Sequence, residues 1–231
     1  MASVSTVKAI PPLTRPRRVR LFRFFSRPIF RWLFRLLAHP TVAGLENVPP
    51  NGPYLITANH LAVADPPMVL AFWPYAVEAL GAANMMQAHF SGFIMRGYGT
   101  YAVQRDSFDR SALKAALHVL QAGRALFIAP EGTRSPKGMG TARPGAAYLV
   151  IKTEVPIVPV GLTGTERMFS TLRHGRREPI HMQIGEPYEL PPVRLTGDNR
   201  HAVLQEYTIE IMRRIAALLP LEYRGAYAAY V

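Results

Sequence analysis

The chain has 231 residues, 49% hydrophobic and 18% charged, enough for one sizeable domain with a real core and too apolar for a disordered chain. It contains no cysteine, which excludes disulfides, thiolate zinc sites and a thiol nucleophile. Lys and Arg number 27 against 15 Asp and Glu, and the net charge of +12 calls for a polyanionic partner: nucleic acid, an anionic membrane surface, or acidic substrates and carriers.

That charge is uneven. Nine cations (Lys8, Arg15, Arg17, Arg18, Arg20, Arg23, Arg27, Arg31 and Arg35) precede the first acidic residue, Glu46, and the 186 residues from there onward carry a net of only +3. From Arg20 to Leu37 arginine recurs about every fourth residue. On a helix, Arg20, Arg23, Arg27, Arg31 and Arg35 fall within an arc of about 120°. Leu21, Phe22, Phe25, Ile29, Trp32, Leu33 and Leu36 fall opposite, and Pro28 is expected to kink or restart the helix. A cationic face opposite an aromatic one predicts a helix lying on an anionic membrane surface through residues 15–37. The competing arrangement packs the apolar face on the chain's own domain and leaves the arginines solvated. No run approaches the ~20 apolar residues of a span, and Arg27, Arg31 and Arg35 would interrupt the core of a signal peptide. Nucleic acid fits poorly, because a groove-binding arm needs polar contacts rather than large apolar residues. Residues 1–38 are therefore read as a basic amphipathic arm and 39–231 as one domain.

Further along, Pro40 to Gly52 reads as a connector and Tyr54 to Ala58 as a buried strand. Asp65-Pro66-Pro67 starts a helix. Gly97 to Gln104 is read as a strand, and Ser107 to Gln121 as a helix closed by Gly123. Ala125 to Ala129 and Pro156 to Leu162 are strands, with a helix from Pro144 through Lys152 between them. A strand near His181 to Ile184 and a helix from about Asn199 to Leu219 complete the chain. The alternation predicts an α/β domain with a largely parallel central sheet flanked by helices, plus the N-terminal helical arm.

Two loops follow predicted strands, where α/β sheets place ligands. In the first, Asn59 to Asp65, a turn between strand and helix brings His60 and Asp65 together, so that Asp65 holds the imidazole while its other nitrogen takes a proton. The same spacing also suits a helix-capping Asp65 beside an ordinary loop histidine. In the second, Pro130 to Ser135, Gly132 permits close approach, Thr133 and Ser135 donate hydrogen bonds and Arg134 offers a fork to phosphate. Glu131 would repel phosphate, so it binds an acceptor hydroxyl or fixes Arg134; an exposed surface loop is the alternative.

Asn59-His60, with four residues between His60 and Asp65, followed by Glu131-Gly132-Thr133-Arg134, resembles the glycerolipid acyltransferase family of the PlsC type. Gly99 to Arg105 resembles the block between the two main motifs of that family, and Val155 to Val160 its proline-bearing fourth block. The resemblance covers about Leu45 to Leu190. It implies His60 as general base and Asp65 as its partner, with Asn59, Arg105, Glu131, Gly132, Thr133 and Arg134 binding substrate. It further implies transfer of an acyl group from acyl-ACP or acyl-CoA to the hydroxyl of lysophosphatidate, with no cofactor. No metal is expected, since His60, His89 and His118 lack ligand spacing. The implied place is the cytoplasmic side of the membrane, as a peripheral or monotopic protein. Two departures stand out: Ala62 where many members carry Ser, and no Lys between Asn84 and Met95, where members acting on glycerol phosphates often carry one. The second opens the alternative of another lysolipid or a hydroxylated lipid as acceptor. Met85, Met86, Phe90, Phe93, Ile94 and Met95 in that stretch suit an acyl channel, a membrane contact or ordinary core.

Overall fold

The computed structural model describes residues 15–103 and 110–231. Among them the strands are β1 (Ala38–Ala43), β2 (Leu55–Ala58), β3 (Glu78–Ala82), β4 (Tyr101–Val103), β5 (Leu126–Ile128), β6 (Ile157–Thr163) and β7 (Glu178–Ile184). They form one sheet in the order β1-β7-β6-β2-β5-β3-β4, parallel throughout except between β6 and β7. The α-helices are α1 (Arg17–Leu37), α2 (Asp65–Phe72), α3 (Ala83–Gln87), α4 (His89–Tyr98), α5 (Arg110–Gln121), α6 (Gly145–Thr153), α7 (Met168–Arg173) and α8 (Arg200–Ala216). This is the α/β architecture with a largely parallel sheet expected from the alternation of patterns.

Both faces of the sheet are covered, so β2 is buried at every position instead of alternating with polar residues. Leu55, Leu126 and Ile157 pack with Ala116, Leu120, Leu149 and Ile211 of α5, α6 and α8. Ile56, Phe127, Val158 and Val160 pack on the other side with Phe34 of α1 and Met68 and Val69 of α2.

Three expectations change. The supposed connector after His39 begins with β1, which among the described residues is an edge strand paired only with β7, and an edge tolerates Pro40 because one side of the strand needs no donor. The strand expected over Gly97 to Gln104 is confined, among the described residues, to β4: Gly97 and Tyr98 finish α4, and Gly99 ends it at φ 78°. Helix α1 runs as one element with Pro28 inside it and does not restart there.

The seating of α1 reverses the usual rule for surface helices. Arg23, Arg27 and Arg31 face the domain, Arg20 and Arg35 remain exposed, and most of the apolar side faces outward, with Val19 and Phe34 buried. Arg23 is 6% exposed, whereas Phe24, Phe25, Ile29 and Trp32 are 59–71% exposed. Arg23 donates to both oxygens of Glu78, at 3.1 and 2.7 Å, and to the Tyr98 carbonyl at 2.9 Å, and its guanidinium lies 4.4 Å from the Tyr98 ring centre. Arg15 and Arg124 also bond the Glu78 carboxylate. Arg27 and Arg31 donate to the carbonyls of Trp73 and Ala71, the free acceptors at the C-terminal end of α2, where cations are favoured. The arrangement in which α1 buries its apolar face is thereby overturned.

Burial pushes the Glu78 carboxyl up, but the hydrogen bonds and charges of Arg23 and Arg15 outweigh it and hold the group below the ordinary glutamate value. A carboxyl depressed in the folded state stabilises the fold above its unfolded value, and that contribution disappears as pH falls through the folded value. Thermal melting should therefore weaken progressively below the ordinary glutamate range, and Glu78→Gln should flatten that dependence. At neutral pH the same substitution should cost about 3–5 kcal/mol, because it leaves Arg23 buried without its counter-charge.

Candidate functional site

Strands β6, β2 and β5 are neighbours, so the loops leaving their carboxyl ends converge. Asn59 continues the β2–β6 pairing with its side chain: Nδ2 donates to the Leu162 carbonyl at 2.9 Å, and Oδ1 accepts the Leu162 N–H at 2.8 Å. Asn59 was expected beside the substrate; it is fully buried, with both ends of its amide engaged on this backbone. It ties the loop to β6 just before His60.

The His60 ring places Nδ1 2.9 Å from Asp65 Oδ2. The same oxygen accepts the N–H groups of Leu61 and Ala62 at 2.6 and 2.7 Å, and Oδ1 accepts the hydroxyl of Thr165. A carboxylate surrounded by donors is an acceptor, so the tautomer of a neutral imidazole that matches it carries its proton on Nδ1 and its lone pair on Nε2. The ring is only 7% exposed. Asp65 begins α2, yet it bonds the amides of the preceding loop and thereby folds the turn that carries His60.

Glu131 joins the two loops. It is 2% exposed; Oε1 accepts the His60 N–H at 2.9 Å and Oε2 the Gly140 N–H at 2.7 Å. The Ser135 N–H returns a bond to the His60 carbonyl at 2.7 Å. Burial pushes the Glu131 carboxyl up, although Ser135 and the two amides oppose the shift. Glu131 is expected to bind an acceptor hydroxyl or to fix Arg134; in the structure its oxygens accept two amides and fasten the first loop to the second. A Cβ at Gly140 would lie 2.5 Å from the Ser135 hydroxyl and 3.1 Å from Glu131 Oε2, so a larger residue there would displace the Ser135 side chain. Gly132 adopts φ 67°, and a Cβ there would press on the Arg143 side chain at 3.2 Å. Thr133 and Arg134 stand exposed at the rim of the same loop. Arg105 lies outside the described residues.

A family model for acyltransferases matches residues 39–163. The chain belongs to the acyltransferase family. The matched acyltransferase span holds both loops and the strands β1 to β6 that carry them. Curated relatives include a 1-acyl-sn-glycerol-3-phosphate acyltransferase of Borreliella burgdorferi, 31% identical over 132 residues, 55% of this chain and 52% of the relative. A lyso-ornithine lipid O-acyltransferase of Pseudomonas aeruginosa is 28% identical over 192 residues, 74% of this chain and 71% of the relative. The chain spans about half the length of other curated relatives it matches, such as 44% of the Saccharomyces cerevisiae 1-acyl-sn-glycerol-3-phosphate acyltransferase. In fold, the chain is similar to the 1-acyl-sn-glycerophosphate (LPA) acyltransferase PlsC of Thermotoga maritima. That match has a TM-score of 0.58 and 24% identity, and covers 86% of this chain and 83% of the other.

Thr165 was not found from sequence. It lies beyond the matched family span and 100 positions from Asp65, and only the turn glycine before it, Gly164, marks the place.

Glu131→Ala should destabilise the fold by about 1.5–3 kcal/mol, since it strips a charged acceptor from two buried amides. Thr133→Ala and Arg134→Ala, both at exposed positions, should stay within about 0.5 kcal/mol. Urea unfolding of the three variants measures the contrast.

Proposed function

We propose that the protein is a membrane-surface O-acyltransferase that moves a fatty acyl group from acyl-ACP or acyl-CoA to the free hydroxyl of lysophosphatidate, giving phosphatidate. The observation that carries this reading is the His60–Asp65 contact of 2.9 Å, with Asp65 itself fixed by two amides and a hydroxyl. His60 Nε2 takes the proton of the acceptor hydroxyl as its oxygen attacks the thioester carbonyl. The tetrahedral intermediate then expels the thiolate, which recovers the proton from the imidazolium. The ester and a free thiol are formed with no covalent enzyme intermediate. Asp65 keeps the ring in the required tautomer and stabilises its cation. Arg134, Thr133, Gly132 and Arg105 supply the acceptor's phosphate with cations and donors.

The membrane part of the proposal rests on α1. Leu21, Phe24, Phe25, Ile29, Trp32 and Leu36 are exposed on one side of it, and Arg17, Arg18 and Arg20 are exposed at its start. Phe93 of α4, 63% exposed, meets Phe22 edge-on at 5.9 Å and extends the apolar strip onto a second helix. No helix among the described residues is long and apolar enough to cross a membrane. Such a surface suits a peripheral or monotopic protein, which we place on the cytoplasmic side.

A second reading keeps the chemistry and changes the acceptor to another lysolipid or a hydroxylated lipid. It is favoured by the lack of Lys from Asn84 to Met95 and by the likeness to a lyso-ornithine lipid enzyme over 74% of the chain.

His60→Ala should lower turnover by about 10²–10⁴-fold while leaving the fold intact; turnover at the wild-type rate would refute the general base. Assays of one acyl donor against lysophosphatidate, lyso-ornithine lipid and other lysolipids separate the two acceptor readings, and acyl-ACP against acyl-CoA fixes the donor. Because Trp73 is fully buried and Trp32 is 62% exposed, a blue shift of tryptophan emission on adding anionic vesicles reports on α1. Replacing Phe24, Phe25 and Ile29 together by Ser should weaken vesicle binding by at least about tenfold.

A further inference from the structure

Thr165 is 1% exposed and donates to Asp65 Oδ1, while the His60 ring and two amides occupy Oδ2. Its turn is held from several directions. Gly164 adopts φ +82°, and a Cβ there would lie 2.3 Å from the Pro179 carbonyl, so the turn presses directly on β7. The Arg167 N–H closes the turn on the Gly164 carbonyl at 3.1 Å, and Arg167 Nε donates to Glu178 at 2.8 Å. Glu166 Oε1 accepts the hydroxyl of Tyr223 at 2.9 Å.

Tyr223 lies in the 3₁₀ turn Leu221–Tyr223 after α8 and is 7% exposed. Its carbonyl accepts the Met139 N–H at 2.9 Å, next to Gly140, whose own N–H holds Glu131. One residue near the C-terminus therefore touches both supports of the histidine: the turn that fixes Asp65 and the loop whose carboxylate fixes the His60 backbone. Tyr227 adds to this contact by accepting the Ala142 N–H at 3.2 Å.

We propose that Thr165 is a positioning residue for the His60–Asp65 pair and that Tyr223 holds it in place through Glu166. The proposal deepens the reading of His60 as general base and rests on it. A carboxylate held at one oxygen alone can turn about its own bond; the Thr165 hydroxyl pins the second oxygen, so the Oδ2 lone pair stays directed at Nδ1.

Thr165→Val removes the hydroxyl at similar volume and Thr165→Ser keeps it. In acyl transfer to a lysolipid, Thr165→Val should lower kcat by about 10–100-fold, the value of one hydrogen bond to a charged group, with the acceptor KM unchanged. Thr165→Ser should stay within about threefold of wild type. Tyr223→Phe, which keeps the carbonyl, should give a smaller loss that does not add to that of Thr165→Val. A second readout needs no substrate: the imidazole Nδ1 proton resonance of His60, observed by NMR, should be present in wild type and Thr165→Ser and lost or displaced in Thr165→Val. If the valine variant does not fold, Thr165→Ala is read in the same way. A Thr165→Val protein with wild-type kcat and resonance would overturn the proposal, as would equal loss in the serine variant. Full turnover by His60→Ala alongside a displaced resonance in Thr165→Val would instead overturn the general base and leave the positioning contact standing.

Discussion

A carboxylate taken out of water must find donors for both of its oxygens, and at Glu131 that demand holds two separate stretches of chain together. One oxygen takes the amide of His60, at the end of β2, and the other takes the amide of Gly140, beyond the end of β5. Glycine at 140 leaves room for the Ser135 hydroxyl and for the Glu131 carboxylate itself. The His60 ring is thus fixed at its backbone before Asp65 orients it. Asp65 repeats the principle within a single loop, gathering two amides, a ring nitrogen and a hydroxyl. Two buried carboxyl groups surrounded by donors shape the candidate site, and each costs desolvation that only complete hydrogen bonding offsets.

The same trade appears on a larger scale in α1. Most helices bury an apolar stripe and leave their charges in water. Here the Arg23 guanidinium is buried, and those of Arg27 and Arg31 partly so, because the domain offers suitable partners: the Glu78 carboxylate and the carbonyls of Ala71, Trp73 and Tyr98. Arginine suits this role better than lysine, since its planar fork reaches two acceptors at once and stacks on Tyr98.

Patterns confined to one element were readable. The apolar runs of β2, β5 and β6 and the helical spacing of α5 and α8 stand in the structure near their expected limits. Elements that borrow stability from elsewhere were not. Strand β1 contains a proline and exists because β7 lies beside it; β3 opens on Glu78, an unlikely strand residue until three arginines surround it. At the site, the closeness of His60 and Asp65 could be argued from five positions of sequence. The work of Glu131 and Asn59 could not, because their partners are backbone atoms of another loop and another strand, and backbone leaves no mark in sequence. Thr165 is the extreme case, a common residue made significant only by the register of β6.

The inverted seating of α1 also governs how the protein must be handled outside a cell. Its exposed strip of phenylalanine, leucine and tryptophan is an aggregation liability in plain buffer. Ionic strength is the wrong lever against it: salt covers no apolar surface and scarcely screens an ion pair as buried as Arg23 with Glu78. An amphiphile is the right one, because a detergent belt can cloak the outer side of the helix without competing for any acceptor on its inner side.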